Sequence, residues 1–224
     1  MNTYLLPVYA VALGVLIAYF TKSYKHKNTK LLLSFSGGFL LALTLFELLP
    51  DVYEELEAKT IGILVMAGIV LQIFLESLSK GAEHGHIHSH TKNNVFPWLL
   101  LVSLCLHSFI EGFPIHQYND IVYGVIVHKI PIAIIVTSFM LKSKFSDTKT
   151  ALFLLIFAVM TPLGTIVSNN IKSIIEFTPY INALVIGIFL HISTIILFES
   201  SEGHKFNIAK LTTIVLAVVL AYFI

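Results

Sequence analysis

Four ionisable residues lie inside runs that are otherwise apolar: His107 and Glu111 in one run, His128 and Lys129 in the next. An ionisable side chain at the centre of a bilayer costs about 2.5–3.5 kcal/mol on insertion scales, so four close together need a reason. His107 and Glu111 are four residues apart, which on a helix stacks imidazole and carboxylate on one face. His128 lies near the middle of the following run, with Pro131 just beyond it. Neutral imidazole and carboxylate suit Zn²⁺ and, less selectively, Fe²⁺ or Mn²⁺. Two facing helices presenting His107, Glu111 and His128 therefore predict a divalent-metal site.

The elements that must position these residues are membrane spans. The chain has 224 residues, is 56% hydrophobic and 12% charged, and has a mean hydropathy of +0.85. A soluble domain carries about twice that share of charge. Eight runs of about 20 mainly apolar residues predict an all-α polytopic fold: 4–20, 31–49, 60–78, 96–115, 120–141, 150–168, 178–198 and 207–224. The connectors are short and no Pro- or Gly/Ser-rich linker divides the chain, so 1–224 reads as a single transmembrane domain. The first run has no basic residues before it, which marks an uncleaved helix and not a signal peptide. Cys105 is the sole cysteine, so no disulfide forms within the chain.

Orientation follows from the lysines. Connectors after the odd spans hold Lys22, Lys25, Lys27, Lys30, Lys80, Lys92, Lys142, Lys144, Lys149, Lys205 and Lys210, while the opposite connectors hold only Lys59 and Lys172. The positive-inside rule then puts the odd connectors in the cytoplasm and both termini outside. Within the cytoplasmic connector 79–95, His84, His86, His88 and His90 form an alternating tract suited to loose metal binding. The connector after the second span is acidic, with Asp51, Glu54, Glu55 and Glu57, and would concentrate cations at an outer entrance. A faint repeat matches Gly37, Phe39, Leu40 and Thr44 to Gly187, Phe189, Leu190 and Thr194 at identical spacing. It predicts a weak inverted repeat of spans one to three and six to eight around spans four and five.

Proline supplies a second device. Pro131 cannot donate to Val127, nor Pro114 to Ile110, so both helices are expected to bend near the site and free carbonyls for a passing cation. Ser103 and Ser108 flank His107 and could hold a water. Further polar residues predict a path: Glu47 and Asp51 on the outer side, Thr161 in the sixth span, His191 in the seventh, and Glu199, Glu202 and His204 at its inner end. Glu76 ends the third span, where a charged side chain can also simply reach toward the interface.

These residues resemble the ZIP family of divalent-metal transporters (zinc- and iron-regulated transporter-like proteins). The resemblance is carried by Gly-Gly-Phe-Leu-Leu-Ala-Leu-Thr-Leu-Phe-Glu-Leu-Leu-Pro-Asp at 37–51 and His-Ser-Phe-Ile-Glu-Gly at 107–112. His-Lys-Ile-Pro at 128–131 and Thr-Pro-Leu-Gly at 161–164 complete it. Family members often hold two metal ions between the fourth and fifth helices. Carried over, His107 and Glu111 match directly and His128 is the third ligand. Ser108, Lys129 and Ile132 stand where a second site would have Asn, Asp and Glu, and Thr161 where some members have a sixth-helix Glu. Lys129 and Ser108 then substitute for the second metal, as in a branch with a His-Lys motif in the fifth helix. A seventh-helix His common in the family falls at Ile196.

The resemblance implies a non-enzymatic importer that carries Zn²⁺ as substrate, with Fe²⁺, Mn²⁺ or Cd²⁺ as further cargoes and no cofactor. Its partners are the metal ion and the bilayer of a plasma or bacterial inner membrane, with a homodimer as a further option and no nucleic acid. The rival expectation is an intramembrane zinc-dependent hydrolase, which would want a general base beside the metal, often as H-E-x-x-H; that pattern is absent.

Overall fold

The computed structural model describes residues 3–21, 26–79, 96–115, 120–143, 145–199 and 208–224. Helix α1 spans Leu6–Thr21, after a 3-10 turn at Thr3–Leu5. Helix α2 (His26–Leu43) runs through a π turn at Thr44–Leu48 into α3 (Leu49–Glu55). The rest are α4 (Ala58–Ser79), α5 (Trp98–Glu111), α6 (Ile121–Lys142), α7 (Asp147–Asn170), the short α8 (Lys172–Glu176), α9 (Thr178–Glu199) and α10 (Ile208–Tyr222).

Among the described residues, seven helices are long and apolar enough to cross a membrane. The eighth predicted span, 207–224, holds a shorter apolar helix, α10, of 15 residues. The acidic connector is also more ordered than a loop, since Asp51, Glu54 and Glu55 belong to α3. Ser79 ends α4, and the rest of the connector 79–95, with its histidine tract, lies outside the described residues.

Two predicted bends turn out differently from each other. Pro114 lies past the end of α5, in a 3-10 turn at Phe113–Ile115, so α5 stops where a bend was expected. Helix α6 continues through Pro131 and α7 through Pro162.

Packing pairs the helices: α4 lies on α9, α1 on α6, α2 on α10 and α5 on α7. These pairs change places when spans one to three are exchanged for six to eight and span four for five. The second and seventh spans repeat a detail as well, with Thr44 Oγ1 donating to Leu40 O and Thr194 Oγ1 to Leu190 O, each at 2.7 Å. Three crossings depend on glycine, the α1–α6 one through Gly14 against Ile130 O. A Cβ on Gly164 would overlap Phe109 O and one on Gly112 would overlap Thr161 O, locking α7 to α5. The α4–α9 crossing repeats this, with Gly68 against Leu184 O and Gly187 against Val65 O. Backbones that approach this closely leave no room for a side chain, which is how small residues drive helix association in lipid.

Candidate metal site

Helix α5 buries the face that carries Ser103, Leu104, His107, Ser108 and Glu111. The spacing alternates three and four residues, so one stripe turns inward, and Glu111 is the last residue of the helix. Helix α6 buries His128 and Lys129, and α7 buries Phe157 and Thr161. These three helices bring the four predicted residues together, each at most 1% exposed.

Glu111 is the hub. Its Oε1 forms an ion pair with Lys129 Nζ and accepts from Thr161 Oγ1 at 2.8 Å. Its Oε2 stands 3.3 Å from His107 Nε2. The His107 and His128 rings meet edge to face, 6.2 Å between centroids. Lys129 also donates to Ser108 Oγ at 3.0 Å, and its ammonium sits 4.5 Å from the centre of the Phe157 ring. A desolvated cation over an aromatic face gains about 2 kcal/mol, which helps offset the cost of burying it. Thr161 Oγ1 also lies 3.0 Å from Ser108 O, and Thr165 Oγ1 donates to Gly112 O at 2.7 Å, so α7 hydroxyls cover the C-terminal carbonyls of α5.

The arrangement divides the carboxylate between two tasks. Oε1 faces the ammonium and a hydroxyl, and Oε2 faces the imidazole side. Nitrogen from His107 and His128 with oxygen from Glu111 is a borderline donor set suited to zinc-like ions. Among the described residues, no three His, Cys, Asp or Glu side chains stand grouped to hold a metal ion as they are. A cation entering between Oε2 and the two rings would have to draw the imidazoles closer.

Of the remaining predicted residues, Glu47 is half-buried in the π turn and Asp51 half-buried on α3. His191 is not at the centre. Its Nε2 pairs with Glu76 Oε2 at 2.9 Å across the α4–α9 crossing. Ser103, one turn before His107 on the same face, donates to Leu75 O of α4 at 2.6 Å. Glu199 ends α9, whereas Glu202, His204, His84, His86, His88 and His90 lie outside the described residues. Phe157, Thr165 and the partnership of Glu76 with His191 were missed from the sequence. Thr161, Thr165 and Ser168, at spacings of four and three on one apolar span, were the available signal for a polar face.

No curated protein matches the chain. A family model described as ZIP zinc transporter matches residues 79–224, which include α5, α6 and α7 and every residue of the buried centre. With that match over well more than half of its length, the chain belongs to the ZIP zinc transporter family, a family of divalent-metal transporters.

Proposed function

We propose that this protein imports Zn²⁺ into the cytoplasm, and that the ion rests at mid-membrane on His107, Glu111 and His128. The observation that carries the reading is the divided carboxylate: Glu111 Oε1 is held by Lys129 and Thr161 while Oε2 is turned to His107. A buried acid that only balanced a lysine would need no imidazoles beside it. Lys129 and Ser108 then take the place of a second ion, and the fixed ammonium keeps Glu111 charged and aimed. The inward direction rests on the lysine asymmetry of the connectors. The histidine tract would lie at the cytoplasmic end as an accessory binder, with His191, Glu199, Glu202 and His204 toward that end of the path. Fe²⁺, Mn²⁺ and Cd²⁺ are further cargoes that this donor set accepts.

The test is zinc uptake by proteoliposomes holding the purified protein. His107→Ala and His128→Ala should each reduce uptake to background while the protein stays folded and inserted. Wild-type uptake by both variants would remove the site from the path. Membership of a transporter family leaves the intramembrane hydrolase without an observation in its favour.

A further inference from the structure

Lys129 ends in an ammonium with three N–H donors and no acceptor. Glu111 Oε1 takes one in the ion pair, and Ser108 Oγ takes a second at 3.0 Å. The remaining partner is the face of Phe157, whose ring centre lies 4.5 Å from the nitrogen. An aromatic face is negative at its centre and attracts a cation without accepting a conventional hydrogen bond. Phe157 is 1% exposed, so bulk water does not reach the ring.

Helix α7 sets this contact. Phe157 and Thr161 are four residues apart, one above the other on the same face. Thr161 Oγ1 donates to Glu111 Oε1, and Phe157 receives the ammonium that is bonded to that same oxygen. One face of α7 therefore holds both halves of the ion pair, and the Gly112–Gly164 contact with α5 fixes its height. Phe153, one turn before Phe157, is also buried, but its ring stands 6.1 Å from that of Phe96. Two phenylalanines of one helix face thus have different partners, another ring and a cation.

We propose that Phe157 is a positioning residue for the metal: its ring holds the Lys129 ammonium on Oε1 and away from the donors that the ion needs. The proposal rests on the reading of His107, Glu111 and His128 as the central site. Without the ring face, one N–H of the ammonium loses its partner in a buried place, which is costly. The acceptor at hand is the second oxygen of the same carboxylate, Oε2, which stands 3.3 Å from His107 Nε2. An ammonium that bridges both oxygens takes a ligand from the incoming ion and brings a like charge closer to it. Zinc then binds more weakly, although the helix packing is unchanged. A ring that served only as filler would make zinc affinity depend on its volume and not on the charge of its face.

The experiment varies the charge of the ring at nearly constant size. Phenylalanines carrying one, two and three ring fluorines, placed at position 157 by nonsense suppression, withdraw density from the face step by step. Zinc affinity is read on purified protein by competition with a chromophoric chelator, with His84, His86, His88 and His90 replaced by Ser. The dissociation constant should rise with every fluorine, to about tenfold for the trifluorinated ring, since a desolvated cation–π contact is of that order. The apparent KM of zinc uptake should rise in the same sequence.

Phe157→Leu supplies a second readout through a double-mutant cycle with Lys129→Met. It should weaken zinc binding where the ammonium is present and have no further effect where it is absent. Affinity that stays flat across the fluorinated series, or a Phe157→Leu loss equally large in the Lys129→Met background, overturns the role of Phe157. Either result leaves the central site standing as long as His107→Ala abolishes the same zinc binding. Zinc held as tightly by His107→Ala as by wild type overturns the central site, and the role of Phe157 with it.

Discussion

Among the described residues, two carboxylate–imidazole pairs lie in this bundle, Glu111 with His107 and Glu76 with His191. Their nitrogen–oxygen separations are similar, 3.3 Å and 2.9 Å, yet their surroundings are not. Glu111 and His107 are each 1% exposed, while His191 and Glu76 are 11% and 22% exposed. The Glu76 pair is only half-buried, and its carboxylate pairs with His191. At the buried pair no solvent is at hand, and Glu111 collects Lys129 and Thr161 as well. An uncompensated charge is far more costly in a low-dielectric interior, so the fully buried carboxylate requires such support. What distinguishes a candidate transport centre here is not the His–Glu pair itself but the ammonium and hydroxyl that support it.

The comparison breaks most sharply at Glu111. Glu111→Ala should abolish zinc uptake and, by stranding the Lys129 ammonium, should cost about 3–5 kcal/mol of stability. Uptake assays and thermal unfolding in detergent read the two effects. Full retention of both would make the buried pair no different from the exposed one.

Next in size is Lys129→Met, which strands the carboxylate in turn and should cost about 3 kcal/mol or more. Glu111→Gln combined with Lys129→Met removes both charges. It should recover much of that stability without recovering uptake. A double variant as unstable as the single ones would show that packing against Phe157, and not charge balance, holds this centre together.

Thr161→Val removes one donor to Glu111 Oε1 but leaves Lys129 in place. A loss of about 1–3 kcal/mol is expected, with uptake reduced and still measurable. Zinc affinity of the purified protein, followed by competition with a chromophoric chelator, should weaken. Affinity equal to wild type would mean that the hydroxyl serves only the Ser108 carbonyl.

The smallest effects belong to the second pair. Glu76→Gln and His191→Gln should each cost no more than about 1 kcal/mol, the range of partly exposed ion pairs, with uptake reduced less than tenfold. Abolished uptake in His191→Gln would reverse the comparison and make the α4–α9 pair an obligatory stop for the metal.

Much of the architecture is legible in the sequence alone. Hydrophobic runs of the required length reveal the spans because, in lipid, a helix satisfies its own backbone and its position follows from composition. His107 and Glu111 could be paired on the sequence because four residues on a helix are one turn. The family followed from short motifs on the fourth and fifth spans, and the match over 79–224 agrees with it.

Relations between helices were not legible. Local periodicity does not reveal which buried hydroxyl meets which carboxylate, so Thr161 was named without its bond to Glu111, and nothing along the chain singled out Phe157. Pro114 looked like a kink because sequence does not say whether a helix continues; the chain ends α5 at Glu111 and turns. Glu76 read as a terminal charge that reaches for the interface, and only the α4–α9 crossing put His191 beside it. That crossing itself depends on Gly68 and Gly187, whose meaning is the absence of a side chain where two backbones touch. Span, spacing and chemical type are properties of one helix and can be read along the chain. The partners of a buried charge are set by three-helix packing, and only the tertiary structure decided them.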